Sequence, residues 1–399
     1  MAGGKYLQQK APKAGAKKAS KQMVNNYEQD MFPDSNNNSK GRKSKKVLVI
    51  VLIAILLLII IGIVAGVIYY NSVLSMMSRP EDVTVETLSD DELAELLGIS
   101  TETTEAVTET TSPEETWPKI VSDQNITNIM VIGQAAREGE EHRLADSNIL
   151  ISINREQKTL TMTSILRDLR VNIPAYEGNQ AGFNRINVVY HLGSYYTGKV
   201  SSSMDMISMC IENNFGVHVD HVVEIDFDMF NEIVNLLGGV TVDLTKPELD
   251  YLAHNYPDIF SADMEPGTHL LNGWQSLGYA RMRKVGNGDW DRTERQRFIL
   301  TQLLGKLKDM GIMEIHGMFQ TILPRIVTNM TNEEITNYAF EFIPMLKDLT
   351  IQSFRIPADG TWWSTDLDPD GVHNYVIDTN LYNNGKLLQE MIGYNNETE

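Results

Sequence analysis

Five arginines fall within seventeen residues, Arg281, Arg283, Arg292, Arg295 and Arg297, interleaved with Asp289, Asp291 and Gln296. A guanidinium keeps its charge at physiological pH and offers a planar fork of donors that matches phosphate oxygens, so this crowd asks for a polyanionic partner. The demand stands out in a chain of 399 residues whose formal net charge is -19.

Position along the backbone must decide which of these groups can act together. Asp291 and Glu294 have the spacing of an N-cap and its reciprocal partner. They predict a helix from Asp291 to Met310, ahead of Gly311, with Leu300, Leu303, Leu304 and Leu307 as its buried stripe. Arg292, Arg295 and Gln296 then share the first turns, where free N–H groups and the helix dipole already favour an anion. Arg295 and Arg297 read as solvated or paired with Glu294 rather than as ligands. If residues 281–283 are extended, Arg281 and Arg283 share a face; if they are helical, the two diverge.

Upstream, residues 126–132, 148–153 and 160–165 are short β-branched runs, the last two joined by a polar turn over 154–158 as a hairpin. Residues 204–213 and 230–237 have helical apolar spacing, and strands at 222–227 and 240–244 flank the second. Alternating strands and helices predict an α/β or α/β/α layered domain.

The charge is unevenly spread. Residues 1–46 hold eleven Lys or Arg against three acids, a net of +8 that leaves -27 for the rest of the chain. This segment is too polar to bury a core and reads as a disordered cytoplasmic tail. Residues 47–70 contain no charge; 24 residues at about 1.5 Å each exceed a hydrocarbon layer roughly 30 Å thick, which predicts one transmembrane helix. The basic flank puts the N-terminus in the cytoplasm and the remainder outside. Residues 71–120 read as an acidic, Thr/Glu-rich extracytoplasmic linker with one short helix near Ser89, and 121–395 as a single large domain. Cys210 is the sole cysteine, which excludes an intramolecular disulfide and suits a small core residue.

In order along the chain, NIMVIG (128–133), ADSNILISIN (145–154), SILRD (164–168), NRIN (184–187), residues 227–239, LNG (271–273), YARMR (279–283) and DWDRTERQ (289–296) resemble the LytR-CpsA-Psr family of envelope proteins. The set covers residues 126–310 of the domain, and the tail, span and outer domain follow the same plan. The resemblance implies an α/β/α layered ectodomain with a mixed sheet, and a phosphotransferase. Such an enzyme takes a polyprenyl-pyrophosphate-linked glycopolymer, commonly with Mg²⁺, transfers the polymer with one phosphate to a peptidoglycan hydroxyl, and releases polyprenyl phosphate. Opening a P–O–P bond builds negative charge on the bridging oxygen, which fixed positive groups can meet without a covalent nucleophile.

On this resemblance Arg167, Arg281, Arg283 and Arg292 are expected to carry the charge stabilisation and Asp289 to act as base or orienter for the acceptor. Arg143, Arg185, Gln296 and Asp168 are expected in substrate binding, and Asp146 as metal ligand. Simpler readings stay open: Arg167 and Asp168 as a surface ion pair, Asp289 as a helix brace, Asp146 as a support for Arg167. The sequence departs from the family where an Asp usually follows the first strand and an Arg precedes the Asp-Ser pair. Ala135 and Leu144 stand there, with Arg137 and Arg143 as substitutes, which puts the Mg²⁺ site in doubt. Two other classes compete with the transferase: a non-catalytic polyprenyl-phosphate or glycopolymer binder, and a membrane-bound transcriptional attenuator. The basic tail has no helix-turn-helix pattern, so nucleic acid is not expected as a partner. Trp362 and Trp363 read as a sugar platform, a membrane-interface pair or core, and residues 366–371 as a turn rather than a calcium loop.

Overall fold

A computed structural model describes residues 118–134, 144–177, 181–366 and 375–394, with scattered positions between 61 and 85. The expected span at 47–70 and the helix near Ser89 lie almost wholly outside the described residues. Among the described residues no helix is long and apolar enough to cross a membrane.

The domain is built on a six-stranded mixed sheet. Its strands are β1 (Ile126–Gln134), β2 (Ala145–Asn154), β3 (Thr159–Ile165), β6 (His221–Ile225), β9 (Val327–Thr328) and β10 (Thr350–Ile356), in the order β10-β3-β2-β1-β6-β9. The β2–β3 pair is the antiparallel hairpin expected from its polar turn, and β1 pairs antiparallel with β2. β6 joins β1 in parallel and β10 joins β3 in parallel, so β1, β3, β6 and β10 run one way. Their carboxyl ends therefore share one edge, where open α/β sheets offer a crevice.

Between these strands lie β4 (Arg170–Ile173), β5 (Gly182–Arg185), α1 (Ile186–Thr197) and α2 (Val200–Phe215). After β6 come α3 (Phe227–Leu236), β7 (Val240–Leu244), α4 (Lys246–Asn255), β8 (Gly267–Leu271) and α5 (Gly273–Arg281). The chain closes with α6 (Asp289–Asp309), α7 (Ile312–Ile322), α8 (Asn332–Met345), the ribbon β11 (Trp362–Asp366) and β12 (Tyr375–Thr379), and α9 (Leu381–Ile392).

Strand alternation sends side chains to two different cores. Met130, Ile132 and Leu150 pack with α1, α2 and α9, and buried Cys210 belongs to this core. Ile149, Ile153 and Met162 pack with Leu300 and Leu304 of α6 and Phe342 of α8. A third cluster lies under α3 to α6.

Three expectations need correction. The strand at 222–227 stops at Ile225, because the Asp226 carboxylate accepts from Met229 N–H at 2.6 Å and caps α3 from Phe227 onward. α6 begins at Asp289 behind Gly288 with no side-chain cap, not at Asp291. Asp291 braces the preceding loop instead, accepting from Asn287 N–H at 2.9 Å, and a Cβ on Gly286 (φ 80°) would sit 1.9 Å from its carboxylate. The leucine stripe is also divided: Leu303 and Leu307 face the cluster under α3 to α6, whereas Leu300 and Leu304 face the sheet.

Candidate active site

The carboxyl ends of β1, β3 and β6 and the start of β2 bring four remote sequence segments together. Asp146 opens β2, Arg167 follows β3, Arg283 follows α5, and Asp289 and Arg292 occupy the first turn of α6. Arg167 Nη1 donates to Asp146 Oδ1 at 2.9 Å, and Arg283 Nη2 lies 3.5 Å from Asp146 Oδ2. Asp289 gathers the same arginines from the other side. Its Oδ2 accepts from Arg292 Nη2 at 3.0 Å, and its Oδ1 lies 3.7 Å from Arg167 Nε and 3.6 Å from Arg283 Nε. Arg292 Nη2 also donates to the Asp146 carbonyl at 3.0 Å.

The bonding is incomplete. Among the described residues, buried Arg167 Nε, Arg292 Nε and Asp289 Oδ1 have no hydrogen-bond partner, although ion-pair contacts surround them. Buried polar atoms in this state are costly, and a ligand that supplies acceptors would relieve the donors.

Beside the cluster opens a cavity of ≈ 420 Å³, within the usual range for a ligand site. Arg167, Arg281, Arg283, Arg292, Asp146 and Gln296 line it, and so do Ile225, Phe227, Phe230, Tyr251, Tyr256 and Leu300. The aromatic rings come from α3 and the α4 region. Sequence reading passed them over, although Phe227 and Phe230 at helical spacing were a usable signal. On α6 the residues Arg292, Gln296 and Leu300 recur every fourth position, so one helix face presents a charge, an amide and an apolar group to the same hollow. Gln296 Oε1 accepts from Ser147 Oγ at 3.2 Å.

Burial and charge oppose one another here. Burial resists ionisation of Asp146, but Arg167, with Arg292 and Arg283, holds its carboxyl below the ordinary range. For Asp289 burial wins over Arg292 and Arg167, and its carboxyl is pushed above that range. Burial brings Arg292 down to about 10, which leaves it charged at neutral pH.

The remaining expected residues divide. Arg281 ends α5 and its guanidinium stacks 4.5 Å from the Phe227 ring centre while lining the cavity. Met282 is extended, so Arg283 turns away from the helix to reach Asp146. Asp168 and Arg185 do not line the cavity; Arg185 Nε lies 3.9 Å from Asp168 Oδ1, and Asp168 Oδ2 lies 3.4 Å from Arg167 Nε. Arg143, Arg137 and Ala135 lie outside the described residues. Arg295 and Arg297 are buried, not solvated, and Arg295 contacts Glu248 at 3.5 Å rather than Glu294.

Among the described residues no carboxylate set would hold a magnesium ion by itself. Each Asp146 oxygen already faces a guanidinium, and no group of three or more His, Cys, Asp or Glu among the described residues could hold a metal.

The chain belongs to the LytR_cpsA_psr family, whose model matches residues 96–387. It is 27% identical over 252 residues to biofilm regulatory protein A of Streptococcus mutans, covering 61% of this chain and 59% of that protein. It is 32% identical over 210 residues to the polyisoprenyl-teichoic acid–peptidoglycan teichoic acid transferase TagU of Bacillus licheniformis, covering 52% of this chain and 61% of the relative. The chain thus spans about three-fifths of the length of these two relatives. The solved structure of TagT bound to LI-WTA matches with a TM-score of 0.52 at 25% identity, over 68% of this chain and 92% of that one.

Proposed function

We propose that this chain is a phosphotransferase of cell-wall assembly that moves a glycopolymer, with one phosphate, from a polyprenyl-pyrophosphate carrier to peptidoglycan. The observation that carries this reading is the convergence of Arg167, Arg283 and Arg292 on two carboxylates beside an apolar cavity. The diphosphate lies against the guanidinium groups, with Arg281 and Gln296 on the same wall, and the prenyl chain lies along Phe227, Phe230, Tyr251 and Tyr256. The name of the TagU relative describes the same type of donor and acceptor.

In the transfer, an acceptor hydroxyl attacks the phosphorus that bears the polymer, and the P–O bond to the bridging oxygen breaks. Polyprenyl phosphate leaves with the bonding electrons, and its new charge is met by fixed arginines. Asp289, with a raised pKa and one unsatisfied oxygen, takes the hydroxyl proton. Asp146 holds Arg167 and Arg283 in place, and the pair Arg185 and Asp168 supports Arg167 from behind. A magnesium ion would be brought in by the phosphates rather than held by a carboxylate set.

In this reading an α/β/α layered domain stands outside the membrane, behind the acidic linker of 71–120 and one transmembrane helix at 47–70, with the basic tail of 1–46 in the cytoplasm. The purified full-length protein in detergent, given a polyprenyl-pyrophosphate-linked glycopolymer and peptidoglycan, is expected to release polyprenyl phosphate. Arg283→Ala is expected to lower that rate about tenfold to a hundredfold, the worth of one charge-assisted hydrogen bond. A wild type that binds the donor without turnover sinks the transferase reading in favour of a binding module.

A further inference from the structure

Arg297 of α6 is 9% exposed and does not line the cavity. Its Nη1 meets no hydrogen-bond partner among the described residues. Arg355 of β10 approaches from the sheet. Its Nε is likewise buried with no partner among the described residues, its Nη2 pairs with the exposed Asp359, and its guanidinium lies 4.3 Å over the Trp290 ring. Helical side chains lean toward the N-terminus, so Arg297 leans back toward Trp290, two turns earlier on the same face, and hence toward Arg355.

A third open donor lies in the same row. β10 is an edge strand, and Arg355 pairs in register with Ser164 of β3, which pairs with Ile149 of β2. Residues opposite one another share a sheet face, and Ile149 packs with Leu300 and Leu304, so this row faces α6. Ser164 is buried, and its Oγ also has no partner among the described residues. Arg292 and Gln296 take the cavity side of the helix, whereas Arg297 and Arg355 meet on the side of the edge strand. The charges there do not balance. Burial first, then the like charge of Arg355, bring Arg297 down to about 10, and Glu294 opposes them less. With Arg355 paired to Asp359, one buried cation is left without a counter-charge, a costly state that an anion would relieve.

We propose that Arg297, Arg355 and Ser164 form a second anion site, which takes a singly charged phosphate group, either a phosphodiester of the donor's polymer or free phosphate. The polymer source rests on the proposed transfer; the site itself does not. Guanidinium forks match phosphate oxygens, and donors arriving from three elements suit a tetrahedral group better than the two coplanar oxygens of a carboxylate. One unbalanced positive charge suits a monoanion rather than a second diphosphate. Arg297 stands five residues beyond Arg292 on α6, about 7.5 Å along the axis at 1.5 Å per residue. A polymer that starts at the diphosphate can therefore reach it.

The test is a calorimetric titration of the full-length protein in detergent with inorganic phosphate at fixed chloride. Wild type is expected to bind two phosphates, and Arg283→Ala to lose the one at the cavity. Arg297→Met is expected to weaken the other about tenfold to a hundredfold, with Arg297→Lys restoring part of it. Arg355→Gln changes a partly exposed side chain on an edge strand and carries the same expectation should Arg297→Met fail to fold. Two phosphates in Arg297→Met and Arg355→Gln alike, or equal displacement by chloride, overturns the site. So does a single phosphate that Arg283→Ala abolishes and Arg297→Met leaves; the reverse pattern keeps the site and counts against the transferase reading alone. Steady-state transfer from polyprenyl-pyrophosphate donors separates the two sources. If Arg355→Gln raises KM about tenfold for a polymer built of phosphodiesters but not for a neutral one, the group is the polymer's own. Equal changes for both assign the site to free phosphate. A wild type that binds both phosphates yet transfers nothing removes the transferase reading and leaves the site standing.

Discussion

Two stripes of the same helix, α6, carry buried arginines with opposite fates. Arg292, Gln296 and Leu300 form one stripe and line the cavity; Arg295, Ile299 and Leu303, three positions on, form the other and enter the core under α3 to α6. Arg292 and Arg295 are 2% and 7% exposed, so burial alone does not separate them. Their bonding does. Arg295 donates to the Met282 and Val285 carbonyls at 3.0 and 3.2 Å and contacts Glu248, which closes its fork within the protein. Arg292 keeps a buried Nε that meets no hydrogen-bond partner among the described residues, beside Arg167 and Asp289 atoms in the same condition. A completed arginine fixes a loop, whereas an open donor beside a cavity is a group that a bound acceptor would satisfy.

The comparison breaks most visibly at Asp289. Asp289→Asn is expected to lower transfer by about a hundredfold or more, the usual worth of a general base, while the donor still binds. Burial raises the Asp289 pKa, and the ionised form is the one that accepts a proton. Wild-type rate should therefore fall, as pH is lowered, at a higher pH than an ordinary carboxylate would give. A pH profile of the transfer rate for both proteins checks this, and an unchanged acid limb in Asp289→Asn removes Asp289 as the base.

Arg292→Ala is expected to cost about tenfold to a hundredfold in transfer per folded molecule, read by single-turnover release of polyprenyl phosphate. Arg295→Ala should act on the other quantity. Removing one partner of a buried pair costs about 3–5 kcal/mol of stability, visible in a urea titration, with turnover of the remaining folded protein unaltered. If Arg295→Ala instead lowers turnover of fully folded protein, the division between the stripes is wrong. The smallest effect belongs to Gln296→Ala, about two- to tenfold in rate, as one neutral hydrogen bond is worth about 0.5–1.5 kcal/mol. Steady-state kinetics on the two variants, Gln296→Ala and Arg292→Ala, grade the amide against the guanidinium.

Local pattern made much of the fold legible. The β2–β3 hairpin, α2, α3 and the long α6 were readable because strand and helix periods show directly in apolar spacing. The helix start was misread because Asp291 and Glu294 mimic a capping box, while a bend through Gly286 and Gly288 gave Asp291 another task. Arg295 was misread for a related reason: Glu294 is its neighbour in sequence, but Glu248 is its neighbour in space. The placement of β10 beside β3, and of the β11–β12 ribbon beside Asp168, left no local trace, because long-range pairing depends on partners remote along the chain.

The sequence by itself determined the inventory: an arginine-rich stretch, ordered motifs of one family, an uncharged run at 47–70, and alternating strands and helices, all of which are properties of residue type and near-neighbour spacing. Only the tertiary structure decided which arginines meet. Arg167 and Arg283 are more than a hundred residues apart yet face the same two carboxylates, because the carboxyl ends of parallel strands and the first turn of α6 converge on one edge of the sheet. Coulomb energy falls with separation and salt screens exposed charges beyond about 10 Å at 0.1 M, so convergence in space rather than density in sequence sets the charge that a substrate meets.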